Sequence, residues 1–402
     1  MQRLDVKAPA EGAGVSARRR RIVLLVGEMA MGGAERVAAT LANAWASRGT
    51  EVWLVPTYLG SRTIKYALRD EVELTFLADR MESMHAGRWR WGLHKAQALR
   101  NLVVELQPDV VVSFLSNVNV LAILALAGAH VPLVISERTD PASGRELHWM
   151  LHLMRHLLYQ FATRLVVQTP SARDRYRERI LRMPPTDVIP NPLSAELERM
   201  QVRADHPVRG GTIIAMGRLT PSKGFDILIR AFGREFGSRP EWRLSIWGEG
   251  PLRESLGALI RDLGLTDRVY LKGSTTEPWM ELARGQIFAL PSAYEGFPNA
   301  MLEAMALGMP AVAYDCPSGP RELAAGGSAA VVIALGDEQA LGRELLRLAN
   351  DVTARRELGG RAAAHVRTAY SESSVLARWD ETLDAAVLTH SRHRKHMQDD
   401  RG

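Results

Sequence analysis

Residues 286–308 constrain the fold more tightly than any other stretch. They open with a short apolar run, Gln286-Ile-Phe-Ala-Leu290, that reads as a buried parallel strand. The loop Ser292-Ala-Tyr-Glu-Gly-Phe297 follows, then Pro298 and Asn299 open a helix that Gly308 stops. A strand feeding a helix through such a loop is the repeating unit of α/β folds. It also turns backbone N–H groups and a helix N-terminus toward an anion. Two carboxylates flank that anion site, Glu295 in the loop and Glu303 roughly a turn into the helix. A carboxylate repels phosphate, so both are expected to face neutral hydroxyls. A nucleotide sugar carries hydroxyls on both sides of its pyrophosphate, on the ribose and on the hexose. Taken alone, the pair reads equally well as a complement to the helix dipole and a solvated loop residue.

At 402 residues the chain exceeds one ordinary core, and two domains of ~150–200 residues each are expected. A single cysteine, Cys316, excludes an internal disulfide framework and suits a reducing compartment. The balance of 51 basic against 45 acidic side chains fits anionic substrates and anionic membrane surfaces. No nucleic-acid partner is expected. Arg18-Arg-Arg-Arg21 precedes any apolar run, and residues 22–26 are too short for a secretory core. The longest apolar region, 110–128, contains Ser113, Ser116, Asn117 and Asn119, so it reads as strand plus buried helix, not as a span. A cytoplasmic or peripherally membrane-bound protein is the expectation.

Residues 1–20 lack periodicity and are expected to be disordered. Strand 22–26 runs into Gly27-Glu-Met-Ala-Met-Gly-Gly33 and an apolar-periodic helix over 36–48. The loop lacks the Gly-x-Gly-x-x-Gly spacing of a dinucleotide site, and no Lys-Ser/Thr pair follows Gly33 as a P-loop requires. Arg88-Trp-Arg-Trp91, with His94, Lys95 and Arg100, is basic and aromatic: either solvated charge over a buried stripe or a face for lipid headgroups. Strand 131–135 opens onto Ser136-Glu-Arg-Thr-Asp140, at the carboxyl end where α/β sheets bind ligands. His148, His152 and His156 share a helical face; no cysteine is near and Glu146 points elsewhere, which disfavours a metal site and leaves an ordinary amphipathic surface helix or a membrane or acceptor contact. After a polar connection over 193–211, strand 211–217 leads into Arg218-Leu-Thr-Pro-Ser-Lys-Gly224. Strand 242–247 ends in Gly248-Glu-Gly-Pro251, where glycines permit close backbone approach.

Glu295 and Glu303, separated by seven residues, resemble the paired-glutamate motif of retaining GT-B glycosyltransferases of the GT4 group. The resemblance runs from about 22 to 388 and is strongest to bacterial enzymes that extend lipid-linked oligosaccharides or envelope polysaccharides. It implies two doubly wound, Rossmann-like α/β domains facing across a cleft, an acceptor-side domain over 21–192 and a nucleotide-sugar-binding domain over 193–369. A helix over 370–388 would cross back to the first domain, leaving a mobile tail over 389–402.

By the same resemblance, Arg218 and Lys223 grip the donor pyrophosphate. Fixed cations are the direct way to stabilise charge growing on a departing phosphate. Glu295 would position the hexose, completing a catalytic set with Arg218 and Lys223. Glu303 would hold the ribose, with Gly32, Gly33, Gly217, Gly248, Gly250, Phe297, Pro298, Asn299 and Ala300 as the other donor-binding residues. Glu137 and Arg138 stand on the acceptor side, where many relatives carry a histidine, so no catalytic role of that histidine transfers. The implied reaction moves a hexose or N-acetylhexosamine from a nucleoside diphosphate, UDP-sugar ahead of GDP-mannose, to a glycan hydroxyl with retention. The departing phosphate takes the proton, the acceptor is lipid-linked, and neither a metal nor another cofactor is needed. A sugar-nucleotide epimerase and a non-catalytic glycan-assembly subunit are the rival readings.

Overall fold

A computed structural model describes residues 19–30, 32–58, 62, 64–81, 88–139, 141, 149–200 and 211–399, without the side chains of 88–90 and 393–399. The expected disordered stretch lies outside these residues as far as 18, as do Asp140, Glu146, His148 and most of the polar connection.

The first sheet holds β1 Arg21–Val26, β2 Glu51–Pro56, β3 Val72–Leu74, β4 Val110–Phe114, β5 Leu133–Ser136, β6 Arg164–Val167 and β7 Thr186–Val188. The second holds β8 Gly211–Met216, β9 Trp242–Trp247, β10 Val269–Gly273, β11 Ile287–Leu290, β12 Ala311–Tyr314 and β13 Val331–Ile333. Every pairing between these strands is parallel, in the orders β3-β2-β1-β4-β5-β6-β7 and β10-β9-β8-β11-β12-β13. Helices cover both faces, which explains why the strands are almost uninterrupted apolar runs. Along β1, Ile22, Leu24 and Val26 enter one core while Val23 and Leu25 enter the other. This is two doubly wound α/β domains, as the sequence implied.

Each sheet reverses its winding once, between β1 and β4 and between β8 and β11. Loops leaving neighbouring strands diverge there, opening a crevice at the carboxyl edge. Arg218 and Lys223 follow β8, and Glu295 follows β11, so the second crevice collects all three. At the first crevice Leu115, just past β4, has φ +76, a strained conformation for a branched side chain.

The chain crosses between domains twice, and the crossings are tied: Leu193 N–H donates to the Tyr370 carbonyl at 2.8 Å. Arg367 donates to the carbonyls of Glu198, Met200 and Ala306 at 2.7, 2.6 and 2.9 Å. The helix Glu372–Asp399 then returns to the first domain, burying Val375, Leu376, Trp379, Leu383 and Ala386 in its core. Trp379 meets Trp45 edge to face, with centroids 6.0 Å apart. This helix does not stop at 388. No glycine or proline interrupts 389–399, so the stretch expected as a mobile tail continues helical to Asp399.

Candidate active site

Lys223 closes a single 3-10 turn, Pro221–Lys223, that Gly224 ends at φ +63. A Cβ at Gly224 would stand 2.2 Å from the Pro291 carbonyl oxygen, so the β8 loop can lie against the β11 loop only with glycine there. Ala293 N–H donates to the Ser222 carbonyl at 2.8 Å and fixes the two loops together. The result is a Lys223 Nζ to Glu295 Oε1 distance of 2.6 Å, with Glu295 buried and Lys223 part-exposed. Cys316 lies beneath; burial first, and the Glu295 charge second, push its thiol up to about 12, which leaves it an inert core residue at neutral pH.

Arg218 is exposed at the mouth of the same crevice, with no ion-pair partner among the described residues. Across the cleft, burial raises the Glu35 carboxyl, Glu28 adds repulsion, and Arg218 offsets part of this. Gly217 precedes Arg218, where the Lys223 methylenes pass 3.4 Å from a hypothetical Cβ. Gly248 and Gly250 serve this loop from behind. Their Cβ atoms would stand 1.9 Å from the Gly217 carbonyl oxygen and 2.5 Å from that of Leu219. The close approach these glycines permit is therefore to the Arg218 backbone.

The helix Asn299–Ala306 begins where expected, and Gly308 follows it at φ +81. Pro298 precedes it, packed so closely that a Cβ at Gly319 would lie 2.3 Å from its ring. Phe297 is buried, its ring 5.8 Å from Tyr370, and Ala300 packs on the same core. The first domain touches this helix N-terminus directly. A Cβ on Gly33 would come within 2.9 Å of Asn299 Nδ2, and Asn191 Nδ2 donates to Asn299 Oδ1 at 2.6 Å. Gly32 is braced by Tyr66, whose hydroxyl accepts from its N–H at 2.9 Å and donates to its carbonyl at 2.8 Å. Glu303 is buried, and its Oε1 meets Arg36 Nη2 of the first domain at 2.5 Å. Burial raises the Glu303 carboxyl, while Arg36 and the Trp279 indole draw it back down.

Glu137 and Arg138 sit at the carboxyl edge of the first sheet with both side chains turned inward. Glu137 Oε1 accepts from Ser116 Oγ at 2.7 Å and also from the Tyr159 hydroxyl. Arg138 lies 4.0 Å over the Phe114 ring and donates to Asn191 Oδ1 at 2.8 Å. Among the described residues no carboxylate pairs with it, and burial pushes its guanidinium down to about 9. Its carbonyl reaches the Glu295 loop: a Cβ at Gly296 would be 2.5 Å away. Arg138, Asn191 and Asn299 thus form a polar line from one domain to the other.

Two surface expectations change. Lys95 is buried between Tyr58 and Trp91, its Nζ 4.5 and 5.0 Å from the ring centroids, and faces no lipid. The Arg88 and Arg90 side chains lie outside the described residues. His152 Nδ1 is 3.0 Å from Arg155 Nη2, and His156 Nδ1 is 2.9 Å from the Arg179 carbonyl. Among the described residues no three His, Cys, Asp or Glu side chains gather as metal ligands. Arg36, Asn191 and Trp279 were not legible as site residues, because each joins it from a different part of the chain.

Two facing parallel-sheet domains with this crevice make a GT-B fold. Residues 31–197 match the family model "Glycosyltransferase Family 4", residues 210–351 match "Glycosyl transferases group 1", and the chain belongs to these GT4-like enzymes. It is 26% identical over 359 residues, 87% of this chain and 95% of the other, to the N-acetylgalactosamine-N,N'-diacetylbacillosaminyl-diphospho-undecaprenol 4-alpha-N-acetylgalactosaminyltransferase of Campylobacter jejuni. An exopolysaccharide phosphotransferase of Streptomyces coelicolor is 36% identical over 179 residues, but the chain spans only 19% of that protein and 44% of itself in the match. In fold it is similar to Anabaena HepE, solved in complex with UDP and glucose: TM-score 0.76, 19% identity, covering 91% of this chain and 100% of the other. No helix among the described residues is long and apolar enough to cross a membrane.

Proposed function

We propose that this chain transfers a hexose or N-acetylhexosamine from a UDP-sugar to a hydroxyl of a lipid-linked glycan, with retained anomeric configuration. The observation that carries the reading is the Lys223–Glu295 pair at 2.6 Å beside Arg218, which has no ion-pair partner among the described residues. It sets cations and a hydrogen-bond acceptor side by side at the crevice where α/β sheets bind ligands. As the anomeric C–O bond of the donor breaks, negative charge grows on the β-phosphate. Arg218 and Lys223 stabilise that charge, which makes a divalent metal unnecessary. The departing phosphate oxygen takes the proton of the acceptor hydroxyl, whose oxygen forms the new glycosidic bond on the same face. Glu295 accepts from a hexose hydroxyl and Glu303 from the ribose, while Gly32, Gly33 and the 297–300 amides enclose the donor. Glu137 and Arg138 shape the acceptor side from within, by holding the strand end against the Glu295 loop.

A lipid-linked acceptor requires the enzyme to work at a membrane. The helix Trp149–Leu158 supports this by exposing Leu153 and Leu157, and Phe161 beyond it is 69% exposed on the same spacing. Of the two membrane contacts expected from the sequence, the stretch around Arg88 and the helix carrying His152 and His156, this apolar stripe favours the second. Similarity to the Campylobacter enzyme, whose name specifies a diphospho-undecaprenol-linked acceptor and transfer of an N-acetylgalactosaminyl group, favours the same classes of acceptor and transferred sugar.

Incubation with a panel of UDP- and GDP-sugars and undecaprenyl-diphosphate-linked acceptors, in EDTA, tests the reading. The expected product is an α-linked disaccharide from an α-configured UDP-sugar. Free sugar-nucleotide epimer formed without acceptor would instead establish an epimerase. No turnover with any pair, despite donor binding, would leave a binding subunit.

A further inference from the structure

Arg36 belongs to the helix Gly33–Ser47 of the first domain, yet its guanidinium crosses the cleft to Glu303 of the second. One carboxylate oxygen is thereby occupied. The other, Oε2, is buried with no partner in hydrogen-bond geometry, and the indole N–H of Trp279, which lies near enough to draw the carboxyl down, is likewise left without one. Both residues line one pocket with Arg36, Thr40, Ser194 and Asn299. An unpaired acceptor and an unpaired donor in one small pocket are costly unless a ligand supplies the complements. A vicinal diol does so, since one hydroxyl donates to the carboxylate while the other accepts from the indole.

We infer that Arg36 is a positioning residue for the nucleotide: it holds one oxygen of Glu303 so that the other faces the ribose diol, and it does so from the opposite domain. The inference rests on Glu303 as the ribose acceptor. A charge-assisted bond from a planar guanidinium fixes the carboxylate plane, which a helix side chain alone does not. Nucleotide affinity then depends on the first domain being docked, and a bound nucleotide in turn favours the closed arrangement. A simple interdomain tether would leave the ligand indifferent to Arg36. The groups bearing on Glu303 are Arg36 and Tyr66 from the first domain and Trp279 from the second. Because Arg36 counteracts the burial of Glu303, its removal should make nucleotide binding more sensitive to acid.

Calorimetric titration of the full chain with UDP and with GDP tests this, using wild type, Arg36→Ala, Arg36→Lys, Glu303→Ala and the double variant at pH 6 and pH 8. Arg36→Ala should weaken the preferred diphosphate about tenfold, the scale of one hydrogen bond to a charged group. The loss should deepen at pH 6, and Arg36→Lys should restore part of it. In the Glu303→Ala background, removing Arg36 should cost little more. Equal losses from Arg36→Ala with and without Glu303, or a loss that ignores pH, would make Arg36 a direct phosphate contact, and no loss at all would make it a tether; each overturns the inference. Should Arg36→Ala not fold, Arg36→Gln keeps the stem and runs through the same comparison. Wild-type affinity in Glu303→Ala, or no diphosphate binding by wild type, would instead remove the ribose assignment on which the inference stands.

Discussion

Lys223 Nζ stands 2.6 Å from Glu295 Oε1, joining the loop after β8 to the loop after β11. Neither residue has another ion-pair partner among the described residues. The donor therefore meets a site whose cation and carboxylate already neutralise each other. On the proposed reading, binding pyrophosphate would draw Lys223 toward the phosphates and release Glu295 to the sugar, coupling the two roles through one contact.

Replacing Lys223 or Arg218 with alanine should lower kcat by ~10²–10³, the usual scale for losing one preorganised electrostatic contact. Lys223→Ala should be the more damaging to stability, because it leaves the buried Glu295 carboxylate unpaired. Steady-state kinetics and thermal unfolding of the two variants check both statements. Near wild-type turnover in both would place the phosphate site elsewhere.

The two glutamates should separate by ligand. Glu303→Ala should weaken donor and free UDP alike, by about 10–100-fold, because both carry ribose. Glu295→Ala should leave UDP affinity nearly unchanged while impairing turnover to a similar degree. Calorimetry with UDP beside kinetics with the intact donor resolves the pair, and equal weakening of UDP by both would refute the division.

Gly248 has φ +139, and its Cβ would collide with the Gly217 carbonyl at 1.9 Å. Gly248→Ala should therefore cost about 1–3 kcal/mol for the backbone conformation alone, and should shift the Arg218 loop. The expected result is a lower Tm together with a kcat deficit, although the residue's own side chain touches no substrate. A destabilised variant with full kcat per folded molecule would show that Arg218 tolerates the shift.

Lys95 makes stability depend on alkaline pH. Burial pushes its ammonium down to about 8 from 10.5, so between those values the unfolded chain binds more protons than the folded one. Stability contributed by this residue therefore rises with pH across that window, and is least where both states are protonated, below about 8. Denaturant titrations at pH 7.5, 9 and 10 should show the wild type gaining on Lys95→Met as pH increases. A difference that stays constant across these values would mean that Lys95 remains solvated.

Chain-local chemistry settled much of this protein. Apolar runs such as 22–26 and 242–247 state buried parallel strands, Asn299 and Gly308 bound a helix, and Glu295 and Glu303 carry a family spacing, because each pattern is satisfied by neighbours a few residues away. Only the tertiary structure decided what those residues face. Arg138 reads as an acceptor-side cation at a strand end, but Phe114 and Asn191 hold it inside. Lys95 belongs to a basic-looking stretch and is enclosed by two rings. Gly248 looks like a nucleotide contact and is required by the backbone of another strand. Arg36 acquires its meaning only when two domains, each foldable around its own core, bring it to Glu303. The burial and pairing of a charge are fixed by contacts between distant parts of the chain, and local sequence carries no record of them.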